Sequence, residues 1–139
     1  MARKLCELHT PALKLQVQRS DGDCCIASLA TLTGISYEDI LIEAAKEQKK
    51  PHADGLFFTD LMRIAKRVNY PLRKKKVNFL KDIGLLDVRL YSNSPNMNLH
   101  CVVLMAGMIY DMSDGTVWLP QEFKKRYRAQ FGAILVPIR

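Results

Sequence analysis

Four residues of this chain have the types and the order of a thiol hydrolase site: Gln18, Cys24, His100 and Asp111. A cysteine attacks a carbonyl as its thiolate, so it needs a base to take its proton and a donor to hold the oxyanion that forms. An imidazole held by a carboxylate supplies that base in a fixed tautomer with a raised pKa. Alone, each residue has an ordinary role. Cys24 is a small buried hydrophobe, His100 a core histidine bonded to a carbonyl, Asp111 a turn cap and Gln18 a polar strand end. Their combination is what points to chemistry.

The elements around the cysteine follow from periodicity. Residues 12–18 (ALKLQVQ) alternate apolar and polar, with Leu13, Leu15 and Val17 on one side, as in a half-buried strand. Arg19 to Asp23 is a dense turn signal. Beyond it Cys25, Leu29 and Leu32 recur at helical spacing, with Ile26 and Ala30 widening the stripe, so a buried helix spans 24–33. Cys24 then lies in the first turn, where the helix dipole favours thiolate over thiol. Asp21 and Asp23 oppose this, because a neighbouring carboxylate raises a thiol's pKa unless it is turned away or spent on capping. Gln18, six residues before Cys24, can aim its amide at the oxyanion together with the Cys24 N–H. Gln16 has the same orientation but stands two residues farther off.

The base and its carboxylate are placed by strand geometry. Residues 99–105 and 108–112 are apolar on both faces, as in central strands. With Ala106-Gly107 as a two-residue hairpin loop, Met105 pairs with Met108, Leu104 with Ile109, Val103 with Tyr110 and Val102 with Asp111. Alternation puts His100 and Asp111 on one face as diagonal neighbours, roughly 7–8 Å apart at the backbone. The rival carboxylate, Asp114, is already engaged by its Asp-Gly turn.

The remaining chain supplies the frame. Gly34 ends the first helix, and a second is expected over 37–49, with Ser36 and Asp39 as a capping box and Ile35 and Ile40 as a hydrophobic staple. A loop over 51–55 leads to a third helix capped by Thr59, with Leu61, Ile64, Ala65 and Val68 inside and Arg63, Lys66 and Arg67 outside. Strands are expected over 72–77, 86–91, 116–119 and 131–138, with a helical turn at 79–83, a loop at 93–98, and a short helix from Pro120 that pairs Phe123 with Tyr127. Helices first and mostly antiparallel strands after argue a single α+β domain over 1–139.

Composition narrows the function classes. The longest apolar stretch, 99–110, has twelve residues, whereas a membrane helix needs roughly 20. Glu7, His9 and Lys14 interrupt any signal core, which leads to the expectation of a cytoplasmic protein with free thiols at its four cysteines. The net charge of +7 is concentrated at Arg63, Lys66 and Arg67, at Arg73 to Lys76, and at Lys124, Lys125, Arg126 and Arg128. Such runs are more often solvated faces than nucleic-acid or acidic-protein sites. Cys6, His9, Cys24, Cys25, His52, His100 and Cys101 lack paired C-x-x-C elements, and His100 and Cys101 point to opposite faces, so zinc is disfavoured and no metal or cofactor is expected.

The run from Gln18 through Asp23-Cys24-Cys25-Ile-Ala-Ser-Leu, the later His100-Cys-Val-Val-Leu, and Ile109-Tyr-Asp111 followed by Leu119-Pro-Gln-Glu-Phe123 resemble the bacteriocin-processing, double-glycine leader peptidases. The resemblance covers nearly the whole chain, and its most specific part is the glutamine-to-cysteine spacing. It implies a papain-like fold, with Gln18 as oxyanion donor, Cys24 as nucleophile, His100 as general base and Asp111 as its orienter. Cys25 stands where the family usually has glycine, and Met112 where it usually has proline. Family members are usually the N-terminal domain of an export transporter, so the resemblance carries the class of chemistry and not the substrate. The expected activity is hydrolysis of a peptide or protein substrate. The competing readings are a silent module on the same fold that binds nucleic acid or an acidic protein, and an amidase acting on a non-peptide amide.

Overall fold

The computed structural model describes residues 3–4, 23–51, 56–91 and 98–138. The expected strand over 12–18, and with it Gln16 and Gln18, lies outside the described residues, as do Cys6 and Asp21.

Helix α1 (Cys24–Thr33) has the bounds its periodicity gives, and it stops where Gly34 turns to φ +76° and donates its N–H to the Ala30 carbonyl. Helix α2 (Tyr37–Ala44) begins at Ser36, whose hydroxyl accepts the Asp39 N–H at 3.2 Å. It ends five residues earlier than its sequence pattern suggests. Lys46, Glu47 and Gln48 bond back to the Glu43 and Ala44 carbonyls in tight turns instead. Those turns bring Glu43 and Glu47 to the third helix, α3 (Phe58–Arg67), where Arg67 bonds both and Arg63 bonds Glu47. Two cations of the first basic run are therefore spent on holding α2 to α3. Thr59 does not cap α3; Asp60 accepts the Phe57 N–H at 3.0 Å and does that work from inside the first turn.

Among the described residues seven strands form one sheet: β1 (Arg3–Lys4), β2 (Leu72–Lys75), β3 (Gly84–Leu90), β4 (Asn98–Met105), β5 (Met108–Asp111), β6 (Thr116–Trp118) and β7 (Gln130–Pro137). Their order is β1-β6-β5-β4-β3-β7-β2, with every pairing antiparallel. The fold is α+β, with β4 at the centre of the sheet. β2 is an edge strand that stops at Lys75, and its exposed Arg73 and Lys74 discourage further pairing.

Strand alternation separates two cores. Leu85, Cys101, Val103 and Tyr110 face α1, α2 and α3 and pack with Ile26, Leu29, Ile40, Leu61 and Ile64. Leu86, Val88, Val102, Leu104 and Ile109 face the other way and pack with Trp118 and with Phe123 of the last helix, α4 (Pro120–Tyr127). Burying each such large apolar side chain contributes roughly 1.5–3 kcal/mol. Both faces of β4 are thus covered, which is why its sequence is apolar without alternation. In α4 the Phe123 and Tyr127 rings meet at 4.9 Å, as four-residue spacing requires. Among the described residues no helix is long and apolar enough to cross a membrane.

Candidate active site

The β4–β5 hairpin positions His100. Ala106 and Gly107 have φ of +53° and +76°, the pair of left-handed residues that a type I′ turn demands. The register that follows is Met105↔Met108, Leu104↔Ile109 and Val103↔Tyr110, as alternation predicts. The pairing with β4 ends there, without a fourth pair between Val102 and Asp111; on its other edge β5 runs on to pair Asp111 with Thr116 of β6. In the space beyond the last pair, His100 Nε2 meets Asp111 Oδ1 at 2.9 Å. A carboxylate only accepts hydrogen bonds, so Nε2 carries the proton and Nδ1 is the nitrogen left for another partner.

A second neighbour of the ring comes from α1. Ser28 donates its hydroxyl to the Cys101 carbonyl at 3.2 Å, which fixes α1 over β4. One turn back along the helix, Cys24 reaches the residue before Cys101, and its thiol is a hydrogen-bonding partner of His100. Cys24 is partly exposed, whereas the His100 and Asp111 side chains are largely buried. Three of the four residues singled out by sequence therefore meet, and the fourth, Gln18, lies outside the described residues.

Asp111 is held more firmly than sequence suggests. Its Oδ1 also accepts from the Ser113 N–H at 3.0 Å and the Ser113 hydroxyl at 2.7 Å. Ser113 was not among the residues that sequence reasoning selected, although an Asp-x-Ser spacing is a recognisable local turn signal. Burial would raise the Asp111 pKa, but His100 and Ser113 outweigh it and hold the carboxyl below its usual value. Asp114 accepts from the Thr116 N–H and hydroxyl, a structural role apart from His100.

Burial works against a charged His100, yet its hydrogen bonds to Asp111 and Cys24 and the Asp111 charge prevail and raise its pKa to about 10. Cys24 moves in a direction the helix dipole alone does not predict. The hydrogen bond to Cys25 and burial hold its proton on, and together they outweigh the pull of His100 toward thiolate. At neutral pH the resting site is a protonated imidazole clamped to Asp111 beside a protonated thiol. Asp23 is not the cause. Its buried carboxylate accepts the Tyr37 hydroxyl at 2.5 Å and makes no side-chain cap on α1.

Cys24, Cys25 and Cys101 are free thiols. Among the described residues no group of three or more His, Cys, Asp or Glu stands where it could hold a metal ion. The arrangement is suited to nucleophilic attack by sulfur with an oriented imidazole to carry the proton. No protein-family model matches the chain, and no curated protein does.

Proposed function

We propose that this protein is a papain-like cysteine hydrolase that cleaves a peptide bond. The observation that carries the reading is His100 standing between two partners, with Nε2 on Asp111 and the Cys24 thiol against the rest of the ring. Attack begins when the Cys24–His100 pair gives up one of its two protons. The remaining proton stays on the imidazole, and the thiolate adds to the substrate carbonyl. The Cys24 N–H, with Gln18 in the role its spacing implies, receives the oxyanion. His100 then protonates the leaving amine, and as the neutral base it draws a proton from the water that releases the acyl group.

Because the pair gives up that proton reluctantly, turnover rises with pH and levels as pH approaches about 10. The test is a peptide-library digest read by mass spectrometry at several pH values. Cys24→Ala is expected to abolish cleavage with the circular dichroism spectrum unchanged. Cleavage that survives in Cys24→Ala refutes the assignment. The competing reading, a silent basic module, is favoured by the protonated resting thiol and by the exposed Lys124, Lys125, Arg126 and Arg128. It requires no Cys24-dependent product at any pH, together with salt-sensitive binding to nucleic acid.

A further inference from the structure

Two thiols behind the nucleophile have no part in the chemistry above. Cys25 and Cys101 are 6% and 2% exposed and share the core between α1 and the sheet. Cys25 is three residues before Ser28, on the face of α1 that lies on β4, and Ser28 itself bonds the Cys101 backbone. Cys101 points to that same side of the sheet, and its thiol is a hydrogen-bonding partner of Cys25, which also donates to the Leu56 carbonyl at 3.5 Å. Asp87, directly across from Cys101 on β3, adds a carboxylate that disfavours a thiolate at Cys25. Cys24, the partly exposed member, touches Cys25 on one side and His100 on the other. The three thiols therefore run from the partly exposed Cys24 through Cys25 to the buried Cys101.

We propose that Cys25 and Cys101 form a reversible disulfide, loaded through Cys24 by a small-molecule disulfide, and that this bond takes the Cys25 thiol off the nucleophile. In the first step the Cys24 sulfur attacks the reagent RSSR. Its S–S bond breaks, a Cys24–S–SR bond forms, and the departing RS⁻ takes the Cys24 proton. The Cys25 sulfur then attacks the Cys24 sulfur and expels the second RS⁻, which takes the Cys25 proton. A disulfide between adjacent residues is strained in a helical first turn. Cys101 attacks the Cys25 sulfur, and the expelled Cys24 sulfur takes the Cys101 proton. One RSSR is reduced to two RSH, two thiols become one disulfide, and Cys24 is returned as a thiol. Freed of its hydrogen bond to Cys25, Cys24 gives up its proton more readily, so oxidation switches the hydrolase toward its active form. Only this last consequence rests on the hydrolase reading.

The full chain is incubated with oxidised glutathione, denatured in iodoacetamide and mapped by non-reducing peptide mass spectrometry. The expected result is a Cys25–Cys101 bond with Cys24 alkylated. Alkylation of both Cys25 and Cys101, or a bond from Cys25 to Cys6, overturns the proposal. Cys101→Ala should stop at a Cys24–Cys25 bond or a Cys24–glutathione adduct, and Cys24→Ala should form the Cys25–Cys101 bond at least tenfold more slowly; an unchanged rate refutes the route. In the native oxidised protein, iodoacetamide should alkylate Cys24 at least threefold faster at pH 8 than in the reduced protein, and Cys25→Ala should match that rate without oxidant. Equal rates before and after oxidation refute the switch. None of these measurements uses peptide cleavage, so a chain that forms the bond yet cleaves nothing fails as a hydrolase and keeps its dithiol.

Discussion

Asp111→Asn tests the clamp on His100 directly. Asparagine keeps the shape of the side chain and an oxygen for the two Ser113 hydrogen bonds, and it removes the charge. In the native site His100 is raised from 6.5 to about 10, although burial alone pushes it down. At ~1.4 kcal/mol per tenfold change in proton affinity, that gap corresponds to a ceiling of roughly 5 kcal/mol of folding stability. Because the folded pKa is the higher one, this stability is fully present below 6.5 and is lost as pH rises through about 10. In Asp111→Asn burial meets much less opposition, so His100 should titrate below 7. Histidine-labelled NMR titration, with His100→Gln to assign the resonance, reads the pKa. Urea unfolding at pH 6 and at pH 10.5 reads the linkage. The wild type should lose several kcal/mol between those two pH values, and the variant much less. A wild-type His100 that titrates near 6.5, or a variant that still titrates near 10, refutes the clamp.

Other expectations concern the neighbours. Cys25→Ala should keep turnover and shift Cys24 alkylation to lower pH, since it removes the hydrogen bond that does most to hold the thiol's proton; a pH–rate profile with iodoacetamide shows it. Gln18→Ala should cost on the order of 10²–10³ in kcat if its amide holds the oxyanion, and a loss below tenfold takes it out of the site. Gly84→Ala should destabilise the fold by roughly 3 kcal/mol or more in a denaturant titration, because a Cβ there runs into the Leu135 carbonyl of the adjoining strand.

Much of the frame was legible because it is coded locally. The stripe from Cys25 to Leu32 and the glycine after Thr33 define α1 at both ends. Ala106-Gly107 between two apolar runs defines the hairpin, and alternation then brings His100 to Asp111 without any knowledge of the rest of the molecule. Where the reading slipped, a side chain or turn of similar propensity won. Asp60 rather than Thr59 satisfies the start of α3, and α2 yields to tight turns that free Glu47 for Arg63 and Arg67.

The amino-acid order by itself determined which backbone groups bond to which and which side chains share a face, because both depend on periods of two to four residues. It therefore determined α1, the hairpin and the His100–Asp111 pair. Only the tertiary structure decided that α1 lies on β4 with Cys24 at His100, that Ser113 secures Asp111, and that Cys25 and Cys101 lie behind Cys24. It also decided the protonation of the site. Proton affinity depends on burial and on charges that arrive from distant parts of the chain, and neither exists until the helices close over the sheet.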